Sequence, residues 1–324
     1  MSSTNKNNLE KLLVKTRSFL PNIDAFFEML LAEKGLSYNS IISYAFDLKD
    51  LALFIRKNKL SIPKIQEKQF TQYLEYLRKN KIANSSYNRK ITSIRQYFNF
   101  LLSEGLIEKN IIADVVSAKQ EKLLPNFLNK QEIEQLILAC DKISKSNYEK
   151  TRARLIVILL FKNGLRVSEL ISLKDSNIKK ENHLYYFDIV GKGGKQRIIP
   201  LVKETLDLIN LFKEIKAGVF ESWNFSTDGF LFPSHTPRTN MTRQRAGQII
   251  KVLATLANMD VSKISPHTLR HSFATHLLSK GVNLKNLQDL LGHKNISTTE
   301  IYTHLTYENL EKLLQEKHPL NKKG

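Results

Sequence analysis

The 324-residue chain has a single cysteine, Cys140, so no intrachain disulfide can form and a reducing, cytoplasmic compartment is expected. Cys140 lies in the apolar helical pattern QEIEQLILAC and reads as a small core residue. Long apolar runs are missing too. No stretch approaches the ~20 residues that span a bilayer, which argues against membrane insertion. The polar start MSSTNKNNLEK has no apolar centre of the kind a secretory leader needs. Acidic side chains are scarce, 31 against 50 Lys and Arg, for a formal charge of +19. Residues 1–120 hold 19 basic and 11 acidic side chains and the remainder 31 and 20, so both parts of the chain are expected to meet the same polyanion. The length exceeds the ~250 residues at which single cores stop growing, which predicts two domains.

Residues 1–20 are polar and basic and read as a loose arm. Apolar residues then recur at helical spacing in four blocks, about 22–33, 38–57, 67–79 and 85–103, punctuated by Gly35, Pro63, Asn84-Ser85-Ser86 and Gly105. They predict a small four-helix domain over about 21–110. In its last block Ile91, Ile94, Phe98 and Leu101 form the core stripe and Arg89, Ser93 and Gln96 fall outside it, either solvated or facing a ligand. Periodicity fades over 111–128, which holds Pro125 and reads as a linker. Beyond it, 130–143 and 151–163 read as helices. Tyr185–Val190 and Gln196–Leu201 read as a hairpin around Gly191-Lys192-Gly193-Gly194, and helices come after it. The fold class is therefore mainly α: a helical domain, then an α+β domain with a small antiparallel sheet.

Five strings in the second half carry chemistry: GLRVSEL (164–170), GKGGKQR (191–197), SPHTLRHSFATHLL (265–278), LLGH (290–293) and STTEIYTH (297–304). Gly164 is placed to stop one helix and Ser168 to cap the next, which holds Arg166 on a short corner. There its fork could grip two phosphate oxygens, or merely touch backbone phosphate from a helix-turn-helix. Lys192 sits in the hairpin turn. A P-loop is rejected because GxxxxGK[ST] is not met, and a lysine at a loop tip is otherwise a solvated one. Ser265 and Pro266 read as N-cap and first helical position, so His267 and Arg270, three apart, share a face beside the apolar stripe Leu269, Phe273, Leu277. His267 and His271 are at metal-compatible spacing, but no HExxH glutamate or cysteine cluster accompanies them. His293, after Gly292, would complement a helix dipole or donate to an anion. Ser297 and Glu300 form a capping-box pattern that opens a helix with Tyr302 in its second turn, where a tyrosine is ordinarily a packing residue.

In this order and spacing the strings resemble those of the tyrosine recombinases, most closely the bacterial Xer type, over about residues 26–319. The resemblance implies a core-binding (SAM-like) helical domain at 21–110, a catalytic domain at 129–305 and a subunit-exchange tail at 306–324. It implies Arg166, Lys192, His267, Arg270 and His293 as the groups acting on the scissile phosphate and Tyr302 as the nucleophile. Arg89, Ser93, Gln96 and Arg243, in the string MTRQ (241–244), become DNA-binding candidates. The implied partners are double-stranded DNA with a dif-like site, a second, XerC-like recombinase in a cyclic heterotetramer, and an FtsK-type DNA translocase. No cofactor or metal is implied. One departure stands out: members of the family usually carry Asn-Pro near the start of the linker, where this chain has Asn110-Ile111. The tail 306–316, with Leu310, Leu313 and Leu314 on one side, is too short to stand alone; it would pack on its own domain or, by the resemblance, on a neighbouring subunit. Mobile-element integrases, type IB topoisomerases and non-enzymatic DNA-binding regulators are the rival readings.

Overall fold

The structure, a computed structural model, describes residues 10, 13–14, 16–80, 82–118, 127–190, 196–222, 227–234, 236, 238–283 and 287. The chain falls into two compact units that divide between residues 122 and 123.

The first unit contains the four expected helices: α1 (Ile23–Ala32), α2 (Tyr38–Lys57), α3 (Glu67–Lys79) and α4 (Asn84–Ser103). Local sequence sets their ends. Ser37 caps α2 by accepting from the Ser40 N–H, and Gly35 and Gly105, at φ +56 and +67, make left-handed turns that an L side chain resists. The core is aromatic. Phe26 packs edge-on to Tyr97 with centroids 5.2 Å apart, and Phe70 meets both Tyr73 and Phe98. Inside this core, on α2, Asp47 has no exposed surface, and Lys90 and Arg89 of α4 neutralise it at 3.2 and 2.8 Å. Burial pushes the Asp47 carboxyl above its ordinary range, against the pull of those two cations. After α4 the backbone is tied back along the same helix. Asn88 exchanges two hydrogen bonds with Ala118, and Arg95 donates to the Ile112 and Val115 carbonyls, so the first part of the stretch read as linker runs along α4.

The second unit runs α5 (Lys130–Ala139), α6 (Asn147–Phe161), α7 (Val167–Ser172), β1 (Ile178–Glu181), β2 (Leu184–Val190), β3 (Gln196–Leu201), α8 (Lys203–Ser222), α9 (Arg243–Leu256) and α10 (Pro266–Ser279). The sheet is antiparallel in the order β1-β2-β3. The expected hairpin is there, and β1, a strand the alternation did not reveal, extends it. β1 is short and largely exposed, so it carries no apolar period to detect. The buried face of the helix α6, with Leu155, Ile156, Leu159 and Leu160, is the centre of this core, and Tyr148 stacks on Phe212 at 5.5 Å.

Removal of one partner from a buried ion pair costs far more than removal from an exposed one. Asp47→Ala should lower stability by about 3 kcal/mol, the low end for such losses because Lys90 keeps Asp50 as a partner. Lys109→Ala, which breaks a pair with both side chains about 70% exposed, should cost ~1 kcal/mol or less. Urea unfolding of the full chain distinguishes the two, and equal losses would remove the buried cluster from the account of this core.

Candidate active site

Helix α6 ends at Phe161. Gly164 then adopts φ +59, and the Leu165 N–H reaches back to the Leu159 carbonyl at 3.2 Å, a left-handed helix stop that favours glycine. The corner this creates begins α7 with Arg166, not Ser168, at the N-cap. Ser168 lies within the first turn. The expected cap was wrong because the role of a capping side chain is taken by Glu169 at N3, whose Oε2 accepts the Arg166 backbone N–H at 2.7 Å. Glu169 Oε1 accepts from Arg166 Nη1 at 2.8 Å, so the carboxylate fixes both the start of the helix and the direction of the Arg166 side chain.

Two more guanidiniums converge on that carboxylate. Arg197, on β3, donates from Nη2 to Oε2 at 2.6 Å, with both side chains almost fully buried. Arg270, on α10, lies with Nη1 3.9 Å from the same oxygen and donates to the Gly164 carbonyl. Helix α10 is held for this by its own cap, Ser265 accepting from the Thr268 N–H, with Pro266 opening its first turn, as the sequence indicates. Its far side is anchored: Ser272 accepts from the Leu128 N–H, and His276 Nε2 lies 2.7 Å from the Leu128 carbonyl.

The charges decide what the arrangement can do. Burial acts to raise the Glu169 carboxyl, but Arg197 and the Arg166 contacts more than reverse it, leaving the carboxyl below its ordinary range. The Arg270 guanidinium is pushed down to about 9, first by burial and then by its neighbours Arg197 and Arg166. Three guanidiniums therefore share one carboxylate, and Arg166 keeps about a third of its side-chain surface exposed. A cationic, half-open corner of this kind suits an incoming dianion or a phosphodiester.

Of the residues singled out in the sequence, Arg166 and Arg270 are brought together here. His267 is exposed in the first turn of α10, one turn before Arg270. Lys192, His293 and Tyr302, with the helix end read at Gly292, the helix start read at Ser297 and the 306–316 tail, lie outside the described residues. Glu169 and Arg197 were missed by sequence reasoning. The usable signal was Glu169 three residues after Arg166, a capping-box spacing; nothing local betrays Arg197. Among the DNA-binding candidates, Arg89 is exposed and oriented by Asp47 and the Ser43 carbonyl, Gln96 is half-buried and donates to the Tyr44 hydroxyl, and Arg243 is exposed at the start of α9. Ser93 is a correction. It has no exposed surface and donates to the Lys90 carbonyl of its own helix, because at two residues after Ile91 and one before Ile94 it falls inside the apolar arc.

Comparison with known proteins gives the family and the fold. The family description "Phage integrase family" matches residues 126–309, and "Phage integrase, N-terminal SAM-like domain" matches residues 23–105. The chain belongs to the phage integrase family, the tyrosine recombinases, and is a site-specific DNA recombinase. Among curated relatives, it is 39% identical to the tyrosine recombinase XerD of Rickettsia conorii over 93% of this chain and 99% of the relative, and 35% identical to that of Rhizobium meliloti over 93% and 96%. Its fold is shared with the XerH site-specific recombinase bound to a palindromic difH substrate after cleavage (TM-score 0.69, 23% identity, 95% and 88% of the two chains). It is also shared with the Tn1549 transposon integrase in complex with circular intermediate DNA (TM-score 0.59, 20% identity, 88% and 97%).

Glu169→Gln keeps the shape of the hub and removes the charge that Arg166, Arg197 and Arg270 share. The substitution should cost about 3–5 kcal/mol at pH 7. A carboxyl whose folded value is depressed stabilises the protein above its unfolded value of 4.5 and ceases to do so as pH falls through the folded one. The gap between wild type and variant should therefore persist down to about pH 4.5 and close below it. Unfolding free energies measured from pH 7 to pH 3 check this, and a gap independent of pH would remove the charge from the explanation.

Proposed function

We propose that this recombinase cleaves one DNA strand at a time by attack of the Tyr302 hydroxyl on a phosphate held by Arg166 and Arg270. His267 and His293 donate to the phosphate oxygens, and Lys192 protonates the departing 5′ oxygen. The observation that carries the reading is the convergence of Arg166 and Arg270, from distant parts of the chain, on the Glu169 corner. A tyrosine hydroxyl with an ordinary pKa of ~10 is a poor nucleophile at neutral pH, and concentrated cationic charge favours its phenolate and the charge growing on the phosphorane. The phosphorus–oxygen bond to the 5′ side breaks as the bond to the tyrosine oxygen forms. The products are a 3′-phosphotyrosyl enzyme and a free 5′-hydroxyl. Because that ester stores the bond energy, the 5′-hydroxyl of a second duplex can reverse the step and build a Holliday junction without ATP or metal.

The biological setting is inferred through the relatives. The XerD names, with the strings LFPS (231–234) and MTRQ (241–244), favour the XerD role: chromosome dimer resolution at a dif-like site during cell division, in the cytoplasm. The XerH complex with a difH substrate supports double-stranded DNA as the partner, together with the net charge of +19. A XerC-like second recombinase and an FtsK-type translocase complete the assembly. In it, residues 21–110 with Arg89 and Gln96, and the catalytic residues 129–305 with Arg243, face DNA, 111–128 join them, and 306–324 dock on the next subunit.

Tyr302→Phe should bind site DNA normally and form no covalent adduct, since only the phenolic oxygen is lost. A denaturation-resistant protein–DNA band from the variant on a nicked suicide duplex would show the nucleophile to be another residue. Lys192→Ala should cleave slowly on ordinary DNA and recover when the bridging 5′ oxygen is replaced by sulfur, because a thiolate leaves without a proton. Equal slowness on both substrates would make Lys192 a positioning group.

A further inference from the structure

Strand β3 carries an arginine where its period calls for an apolar side chain. Side chains alternate along a strand, so Arg197, Ile199 and Leu201 share one face, and all three are buried. Across the sheet Arg197 pairs with Ile189, also buried. A guanidinium in that row is costly unless its charge is met, and Glu169 meets it at 2.6 Å. Stability is a weak account of such a pair, since well-packed apolar residues in place of a buried ion pair are often neutral or stabilising. What the pair does add is control of Glu169: Oε2 accepts from both Arg197 on β3 and the Arg166 backbone N–H, while Oε1 accepts from the Arg166 side chain.

We propose that Arg197 is a positioning residue for strand cleavage. From its buried place on β3 it holds the Glu169 carboxylate fixed and ionised, and so keeps Arg166 and Arg270 in the arrangement that receives the scissile phosphate. The inference rests on the cleavage reading above and deepens it. Among the described residues, the charged groups facing Glu169 are Arg166 at the start of α7, Arg197 on β3 and Arg270 on α10. Burial opposes the ionised carboxyl, and Arg197 is the largest of the charges that oppose burial. Without it the carboxyl rises and takes up a proton at higher pH, which weakens the hold on Arg166.

The test uses the full chain in single-turnover cleavage of a nicked suicide duplex on which wild type forms its adduct, at pH values from 5 to 9. Arg197→Met should bind this duplex as wild type does and cleave it about 10–100-fold more slowly, the size of loss seen when an outer partner of a site group is removed. The acid limb of its rate profile should move to higher pH, which a merely structural role would not cause. Arg197→Lys, which keeps the charge but not the fork, should return the acid limb towards wild type. Combined with Glu169→Gln, the loss from Arg197→Met should shrink, because Arg197 acts through that carboxylate. A wild-type rate in Arg197→Met, an unmoved acid limb, or losses that multiply in the double variant would each overturn the proposal while leaving the cleavage reading intact. Should the Met variant fail to fold, the rate of Arg197→Lys and its combination with Glu169→Gln decide by the same criteria. A wild-type chain that forms no adduct on any site duplex would sink both readings.

Discussion

The site depends on one buried carboxylate. Glu169 accepts the backbone N–H that begins α7, orients the Arg166 side chain, receives Arg197 from the sheet and lies beside Arg270 from α10. Elements separated in sequence are thereby held at one point by charge, in a region where apolar packing alone would not fix the direction of a guanidinium. Hydrogen bonds to ionised groups are about twice as strong as neutral ones, and a planar fork on a planar carboxylate is directional. Both properties are needed to hold long, flexible side chains in a single arrangement.

The same physics appears in the first unit with a different result. Asp47 is enclosed in the helical core and met by Lys90 and Arg89, yet Arg89 remains exposed and is aimed by the carboxylate and the Ser43 carbonyl. A buried acid therefore stiffens a base that reaches solvent in each unit: Asp47 acts on the exposed Arg89, and Glu169 on the partly exposed Arg166. For an enzyme that must meet a polyanion, anchoring cations in this way reduces the rotamer entropy lost on binding.

Much of this was legible in the sequence, and the failures have physical causes. Helices α1 to α4 and the β2–β3 hairpin match strong periodicity and clear punctuation at Gly35, Pro63 and Gly105. Arg166 and Arg270 stood out through the strings that hold them, Arg166 on the corner after the Gly164 stop and Arg270 on the helix face it shares with His267. Glu169 did not, since a glutamate in a short helix looks solvated until the fold brings Arg197 and Arg270 against it. Ser168 was taken for the cap on residue preference alone, whereas the cap needed only a backbone N–H and a carboxylate three residues on. Ser93 was misread for a related reason: a small hydroxyl inside an apolar arc is accommodated by bonding its own helix. Strand β1 is set by its pairing with β2, which no local pattern of four residues, three of them exposed, can announce.

The electrostatic balance also bears on the cleavage proposed for this corner. Arg166, Arg197 and Arg270 meet at one carboxylate, and Arg270 bears the cost, its charge disfavoured by burial and by Arg197 and Arg166. A guanidinium stays protonated at neutral pH regardless, so the cost remains as repulsion within the folded protein. Any group that brings negative charge relieves it, and relief grows with the amount of charge. A phosphodiester carries one negative charge and a phosphorane formed by an incoming phenolate carries more, so the relief is greater in the transition state than in the ground state. That difference is what lowers a barrier. Folding supplies it in advance, through the apolar interior that forces Arg197 and Arg270 against Glu169 before any DNA is present.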